Sequence, residues 1–473
     1  MKIDPTKRTF WFSLTAVLTF FLLVLVATPT LLAQGEKPDD QRLLTILEQV
    51  YQFIQNNYVD EVEAETLIQG ALDGMFESLD DPHSAYLTQD ELRSLTDTTS
   101  GEFGGVGMYI NKQVRNNDQE GEQLSREGYI EVVSPIEDTP AYRAGLRAGD
   151  LIVSVEGDST LDMSVDEVVD RLRGAPGTEV EIMIRRGGSQ EFPVALERAV
   201  IQIPTAKEAM VHEDIGYLRI IQFTPYTDDR VREAVTSFRE NNYSSMIIDL
   251  RNNPGGVLNG VVDVADLFFD GGLVVGTRGR VESENVEYRA TEGRFVSDEI
   301  PIVVLIDGGS ASAAEILAGA MKDRDRAFLL GETTYGKGSV QQVRSVGLGG
   351  FRLTMARYYT PDGTYIDQKG IAPDEEMAEP ELTEEELESY ARLRRENRIT
   401  AFVQENMEPT EREVDGFVRQ LREEGIVLNE RYLRRMIRTE INRLTDRSEV
   451  YDLEYDRILR EAVRLLESGE VTR

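Results

Sequence analysis

The chain has 473 residues, of which 40% are hydrophobic and 8% aromatic. This length suits about three domains, and the composition excludes a wholly disordered chain. The 86 acidic residues outnumber the 51 basic ones, and the formal net charge of −35 opposes binding to nucleic-acid phosphates. The chain has no cysteine and only two histidines, which excludes zinc-finger, iron–sulfur and thiol chemistry. We therefore expect neither a metal site nor a nucleic-acid partner.

An apolar segment covers residues 10–33 and directly follows a basic start that includes Lys7 and Arg8. This order is typical of a signal peptide or an N-terminal membrane anchor. A tolerable cleavage site ends at Ala33, so residues 1–35 are predicted to be either a cleaved signal or a retained anchor. Both alternatives predict an exported protein, either periplasmic or attached to the membrane through residues 10–33 and facing outward.

Residues 36–98 are predicted to be helical, because apolar residues such as Leu43, Leu47 and Ile54 recur there at helical spacing. Short alternating runs with glycine turns then predict a β-rich module over residues 99–198. Its predicted strands are 106–110, 129–133, 151–155, 180–185 and 191–196. One short helix is predicted at 165–173.

Strands and helices alternate in residues 199–378, which predicts an α/β core with covered sheet faces. The predicted strands are 217–223, 246–250, 273–276, 302–306 and 328–330. The predicted helices are 227–239, 257–268 and 313–322. Residues 379–473 are rich in charge and have helical spacing, which predicts a solvated helical C-terminal region.

Ser312 lies between a predicted strand and a predicted helix that is rich in small residues. With Glu315 three residues later, this spacing is that of a capping box. A serine at such a corner is also well placed for nucleophilic attack, since the first helical N–H groups can stabilise an oxyanion. The residues alone leave both interpretations open.

A serine nucleophile needs a base, and three residues are candidates. Two are the histidines, His83 and His212, which distance in sequence does not exclude. Lysine serves instead where a dry site favours the neutral amine. Lys337 lies between two glycines and precedes a segment predicted to be extended, which would put Lys337, Ser339 and Gln341 on one face. Gln341 could then hold the amine by a hydrogen bond.

A third motif, Asp249-Leu-Arg-Asn-Asn-Pro-Gly255-Gly256, leads from a predicted strand into a glycine turn. One interpretation is a tight turn that uses positive φ angles. The other is a source of backbone N–H groups close to a reacting carbonyl.

In combination these motifs resemble the carboxyl-terminal processing peptidases, also called tail-specific proteases. The resemblance covers about residues 40–375 and includes segments 249–256, 309–313, 331–341 and 357–374 in the family's order. It implies a crotonase-like, tail-specific-protease α/β core with an inserted β-rich PDZ domain and helical N- and C-terminal segments.

The resemblance also implies roles for single residues. Ser312 matches the family nucleophile, Lys337 its general base and Gln341 the residue that orients this base. The oxyanion donors would be the backbone N–H groups of Ala313 and of either Gly255 or Gly256. No metal or organic cofactor is implied.

The segment from Phe103 to Ile110 is similar to the carboxylate-binding loop of PDZ domains, and residues 134–150 are similar to their central part. Successive N–H groups in a glycine turn can capture a terminal carboxylate, while an exposed strand edge pairs with the peptide. The residues expected to bind the peptide are Gly104, Gly105, Val106, Gly107 and Met108.

The resemblance thus implies an exported serine endopeptidase that cleaves proteins recognised by their free C-terminal tails, through an acyl-enzyme. One alternative is a catalytically silent PDZ scaffold, and another is a ligand-binding protein of the same fold. The intact Ser312, Lys337 and Gln341 argue against the silent scaffold. Assembly into a homo-oligomer is left open.

Overall fold

The structure, a computed structural model, describes residues 40–112, 128–136, 139–186, 190–347, 349–380, 382–445 and 449–471. The predicted signal or anchor lies outside these residues. In the described part of the chain, no helix is both long and apolar enough to cross a membrane. The chain divides into two compact units, residues 1–81 and residues 82–473.

The described part of the first unit consists of two helices, α1 (Asp40–Asn57) and α2 (Ala64–Glu77). Their apolar side chains follow the helical spacing that the sequence analysis used. No residue of α2 is buried, and on α1 Leu44 and Phe53 are 65% and 69% exposed.

The second unit begins with a strand, β1 (Ala85–Thr88), followed by α3 (Gln89–Ser100) and strand β2 (Glu102–Gly105). The helical segments predicted within residues 36–98 do not include β1. The cause of this strand is tertiary, because β1 pairs antiparallel with residues 349–352. Helix α3 begins where Thr88 and Glu91 form a reciprocal capping box, which stops the strand after four residues.

A β-rich module follows, with an antiparallel sheet over one hydrophobic core. Its strands are hydrogen-bonded in the order β3 (Met108–Lys112), β4 (Ile130–Pro135), β5 (Leu151–Val155), β7 (Glu179–Arg186) and β8 (Gln190–Glu197), and β6 (Asp158–Ser159) pairs with β5. Two helices, α4 (Pro140–Arg143) and α5 (Val165–Leu172), complete the module. Helix α5 buries Val168 and Leu172 in this core. Strand β2 pairs with β9 (Ala199–Gln202), so the chain enters and leaves the module at the same place.

The α/β core is built on a six-stranded sheet. Its strands lie in the order β10 (Ala206–Val211), β11 (Ile215–Ile220), β12 (Ser245–Asp249), β15 (Ile302–Ile306), β16 (Phe328–Gly331) and β19 (Glu375–Glu376). Only β10 is antiparallel to its neighbour among these strands. A second, antiparallel sheet contains β1, β13 (Gly272–Gly279), β14 (Glu287–Ala290), β17 (Ser339–Val346) and β18 (Gly349–Tyr359).

Residues along each central strand alternate between two hydrophobic cores. On one face Leu218, Ile248 and Val304 pack with helices α6 (Thr227–Glu240), α7 (Leu258–Asp266) and α8 (Ala313–Asp323). On the other face Tyr217, Ile247 and Leu305 belong to a separate core. Covering of both faces is typical of parallel sheets.

The second face is covered by the last helix, α13 (Arg457–Ser468), which buries Leu459, Ala462 and Val463 against it. The other C-terminal helices, α9 (Glu384–Arg395), α10 (Arg398–Glu405), α11 (Glu411–Glu423) and α12 (Glu430–Thr445), share a core of their own. The C-terminal region is therefore helical as predicted, but it is not merely solvated, since α13 forms one layer of the α/β core.

Candidate active site

Two loops meet at the carboxyl edge of the central sheet, because parallel strands β12 and β15 end there side by side. The loop after β12 is the glycine turn of residues 249–256, and the loop after β15 leads to Ser312. The Ser310 hydroxyl donates to the Leu250 carbonyl at 2.8 Å, and the Ala311 N–H donates to the Asn253 carbonyl at 2.9 Å. These bonds hold the glycine turn against the segment that carries Ser312.

Ser312 precedes helix α8 and has φ 54° and ψ −114°. A positive φ is uncommon for a residue other than glycine and costs on the order of 1–3 kcal/mol, which the surrounding structure must offset. The loop bonds described above supply that support. The conformation places the serine at the start of a helix whose first N–H group is that of Ala313.

Glu315 is fully buried and links Ser312 to the loop that carries Lys337. Its Oε2 accepts hydrogen bonds from the backbone N–H groups of Ser312 at 2.7 Å and Lys337 at 2.8 Å. Its Oε1 accepts from the Thr334 hydroxyl at 2.6 Å and from the Gly336 N–H at 2.7 Å. One carboxylate thus fixes the two candidate reacting residues relative to each other. From the sequence alone, Glu315 is predicted only as part of a capping box.

Lys337 has a lowered pKa. The largest cause is burial, which disfavours the charged amine, and the nearby guanidinium of Arg352 lowers the pKa further. The Glu315 carboxylate acts in the opposite direction without reversing the shift. A lysine with a lowered pKa is more readily neutral and can accept a proton.

Gln341 lies on strand β17, as predicted, four residues after Lys337. Its amide donates to the Ser339 hydroxyl at 2.7 Å and to the Ser339 carbonyl at 3.1 Å. Among the described residues no hydrogen bond joins Gln341 to Lys337. The structure therefore brings Gln341 to Ser339, and the orientation of Lys337 by Gln341 stays a prediction.

Gly255 and Gly256 both need the absence of a side chain. A Cβ atom on Gly255 would lie 2.8 Å from Cβ of Ser312, and one on Gly256 would lie 1.9 Å from the Phe223 carbonyl oxygen. The Gly255 N–H already donates to Oδ1 of Asn253 at 2.8 Å. Gly256 lies opposite Phe223 in a parallel β-bridge. Both hydrogen bonds of this bridge join Phe223 to the residues directly before and after Gly256, so the Gly256 N–H points away from Phe223. Of the two glycines, Gly256 has the N–H that is not used within the turn.

A buried ion-pair chain supports the start of the glycine turn. Nε and Nη2 of Arg251 donate to the two carboxylate oxygens of Asp249 at 2.9 and 2.6 Å, and the Tyr217 hydroxyl donates to the same carboxylate at 2.7 Å. Although burial raises the pKa of Asp249, the bonds from Arg251 outweigh it and the pKa is lowered overall. Arg251 also donates to Asp456 of the C-terminal region. The sequence does not indicate this ion-pair chain, because nothing near Asp456 in the sequence connects it with residue 251.

His212 lies away from this site. It precedes β11, at the amino end of the strand, and its Nδ1 lies 2.8 Å from the carboxylate of Glu467. Ser312 lies at the opposite, carboxyl edge of the same sheet. In the part of the chain that the structure describes, no group of three or more acidic or histidine side chains could hold a metal ion.

The predicted peptide-binding residues divide into two sets. Gly104 and Gly105 end strand β2 and pair with β9. Val106 and Gly107 form the turn into β3, which begins at Met108. The Val106 carbonyl accepts from the Ala141 N–H at 2.8 Å, and the Gly107 carbonyl accepts from the Ile136 N–H at 3.0 Å.

In a trans peptide the C=O and the following N–H point in opposite directions. The N–H groups of Gly107 and Met108 therefore point away from Ala141 and Ile136, respectively. Strand β3 pairs only with β4 among the described strands, so it is an edge strand, open on its other side. An extended peptide could add to this edge by main-chain hydrogen bonds.

The fold combines an α/β core with a β-rich module, and comparisons with known proteins identify both parts. The sequence profile described as peptidase family S41 matches residues 214–377, the PDZ domain profile matches residues 131–186, and the profile of the N-terminal domain of the activating protease CtpB matches residues 27–91.

The carboxy-terminal-processing protease of Bartonella bacilliformis is 39% identical over 337 residues, which cover 70% of this chain and 74% of that protein. The carboxy-terminal processing protease CtpA of Bacillus subtilis is 32% identical over 382 residues, which cover 80% of this chain and 77% of that protein. The solved photosystem II D1 C-terminal processing protease is 27% identical, with a TM-score of 0.41, over 70% of this chain and 92% of that one.

The chain belongs to peptidase family S41 and is a serine-type processing peptidase. The predicted family and the α/β fold with a PDZ domain and helical terminal segments are confirmed.

Proposed function

We propose that this peptidase is an exported serine endopeptidase in which Ser312 is the nucleophile and Lys337 the general base. The neutral Lys337 amine accepts the Ser312 proton while Oγ bonds to the carbonyl carbon of the substrate. The protonated amine then donates to the leaving amine as the C–N bond breaks, which leaves an acyl-enzyme. Water, deprotonated by the same lysine, releases the acyl group and regenerates Ser312.

The observation that carries this proposal is the bridge through Glu315. One buried carboxylate binds the N–H groups of both Ser312 and Lys337, so nucleophile and base are preorganised by a shared partner. The lowered pKa of Lys337 supports its role as a base at moderate pH.

The developing oxyanion is assigned to the N–H groups of Ala313 and Gly256. Ala313 supplies the first N–H of helix α8, whose positive dipole end favours negative charge. Gly256 is preferred to Gly255 because the Gly255 N–H is already bonded to Asn253.

The PDZ module is proposed to bind the free C-terminal tail of the protein substrate. The tail would add to the open edge of β3, with its carboxylate on the N–H groups of Gly107 and Met108. Because Gly104 and Gly105 pair with β9, their part is to fix the turn rather than to bind the carboxylate directly.

The proposed export rests on the sequence of residues 10–33, an apolar segment behind a basic start. Cell fractionation tests it: the protein should be recovered outside the cytoplasm, in soluble form or with the membrane. Full-length protein found in the cytosol would contradict export without affecting the peptidase assignment.

The catalytic proposal is tested with Ser312→Ala. The variant should lose all cleavage of casein and should still fold, because removal of a helix cap costs only about 1 kcal/mol. Ser345→Ala, which changes an exposed serine on β17, is the matched control and should keep full activity. Cleavage by Ser312→Ala at the normal rate would exclude Ser312 as the nucleophile.

A further inference from the structure

The guanidinium of Arg251 lies between two carboxylates that come from distant parts of the chain. Asp249 belongs to the end of strand β12, whereas Asp456 precedes helix α13. Nη1 and Nη2 of Arg251 donate to Oδ1 and Oδ2 of Asp456 at 3.1 and 2.6 Å. The side chains of Arg251 and Asp456 are only 15% and 13% exposed, so water screens this pair weakly.

Asp456 is itself held firmly. Its Oδ1 accepts a hydrogen bond from the Leu459 N–H at 2.9 Å, which makes it the N-cap of α13. Because the apolar face of α13 packs on the central sheet, the cap has a fixed position relative to the strands. Asp456 is thus a rigid anchor for the Arg251 side chain.

The Arg251 backbone starts the turn that ends at Gly256. The next residue, Asn252, has φ 56° and donates its N–H to Oδ1 of Asp307 at 2.9 Å. The Asn253 carbonyl and side-chain oxygen accept from Ala311 and Gly255. A shift of Arg251 would therefore displace a short segment that these hydrogen bonds hold, and with it the Gly256 N–H.

We propose that Asp456 is a positioning residue for catalysis: through Arg251 it fixes the turn that presents the Gly256 N–H to the oxyanion. This inference rests on the proposed function of Ser312. It gives helix α13, which lies outside the segment matched by the S41 profile, a part in the reaction as well as in the fold.

The test uses the chain with Asp456→Asn and Asp456→Ser. Both replacements retain a side-chain oxygen that can cap α13, but asparagine removes the charge and serine cannot reach Arg251. Arg251 keeps Asp249 as its partner in both variants, so no buried charge is left unpaired. Glu461→Gln, on the same helix and paired with Arg464, is the matched control.

We expect kcat to fall by about 10- to 100-fold in Asp456→Ser and less in Asp456→Asn. Deletion of an oxyanion donor lowers kcat by about 10²–10³-fold, and a donor that is only displaced should cost less. The KM should change little, since substrate binding by the PDZ module is untouched. The rate of Ser312 labelling by a fluorophosphonate, which passes through a similar charged state, should fall by a similar factor. Glu461→Gln should behave as wild type in all three measurements.

Unchanged kcat and labelling rate in Asp456→Ser would overturn the proposal. It would also be overturned if Tm fell while kcat per labelled site stayed normal, since Asp456 would then be only structural. Failure of the proposed function looks different, because the wild-type chain would then show no cleavage or labelling that depends on Ser312.

Discussion

Glu315→Gln tests whether the buried carboxylate joins the two halves of the catalytic site. The glutamine has the same shape but only one acceptor oxygen, so its NH₂ group must face two of the four donors that Glu315 now binds. At least two hydrogen bonds to a charged group are lost, each worth about 1.5–3 kcal/mol. The expected loss of unfolding free energy is therefore about 3–6 kcal/mol, a large part of the stability of a typical domain.

Activity should fall along with stability, because Ser312 and Lys337 lose their common partner. Urea unfolding followed by far-ultraviolet circular dichroism gives the change in free energy, and kcat is measured on the fraction that remains folded. Glu385→Gln, which removes an exposed carboxylate from α9, is the control and should change neither quantity. If Glu315→Gln were as stable and as active as this control, the carboxylate would not hold the site together.

Three further outcomes are expected. Wild-type activity should rise with pH through the lowered pKa of Lys337, and Lys337→Arg should be inactive at every pH tested, since guanidinium stays protonated; activity in this variant would point to His83. Lys337→Met should be inactive but more resistant to urea, because methionine carries no charge whose burial costs free energy. In the wild type the folded state binds fewer protons at Lys337 than the unfolded state, so the wild type gains stability as the pH rises towards 10.5. The stability advantage of the methionine variant should shrink over the same pH range, and a pH-independent difference would contradict burial as the cause of the lowered pKa. Peptides with a free terminal carboxylate should be cleaved at least about tenfold faster than their amidated forms, since a tenfold ratio corresponds to a loss of about 1.4 kcal/mol of binding free energy on amidation. Equal rates, or a preference that survives deletion of residues 103–198, would exclude carboxylate recognition by the PDZ module.

The sequence predicts most elements because its periodicity is local information. The predicted strands at 151–155 and 302–306 coincide with β5 and β15, since short apolar runs between turn residues leave little choice. Strand β1 was missed because its four residues become a strand only through pairing with β18. Likewise, the charge-rich surface of the C-terminal region obscured the apolar face with which α13 covers the sheet.

The site divides in the same way. Ser312 and Lys337 stand in motifs that the sequence displays. By contrast, the second role of Glu315 depends on the loop that carries Thr334, 19 residues away, and the pairing of Arg251 with Asp456 spans 205 positions. Choosing between Gly255 and Gly256 requires knowing which N–H group the turn itself consumes, and no sequence pattern carries that information.

Helix α13 has a consequence for the order in which the molecule can form. The strands that it covers end at Gly331, whereas α13 begins at Arg457, so more than a hundred residues separate the two sides of one core. During synthesis the apolar face that includes Leu305 has no cover until residue 468 is available. On a partly made chain this face of the sheet therefore stays exposed to water until α13 has been synthesised, which is a risk of aggregation for the nascent protein.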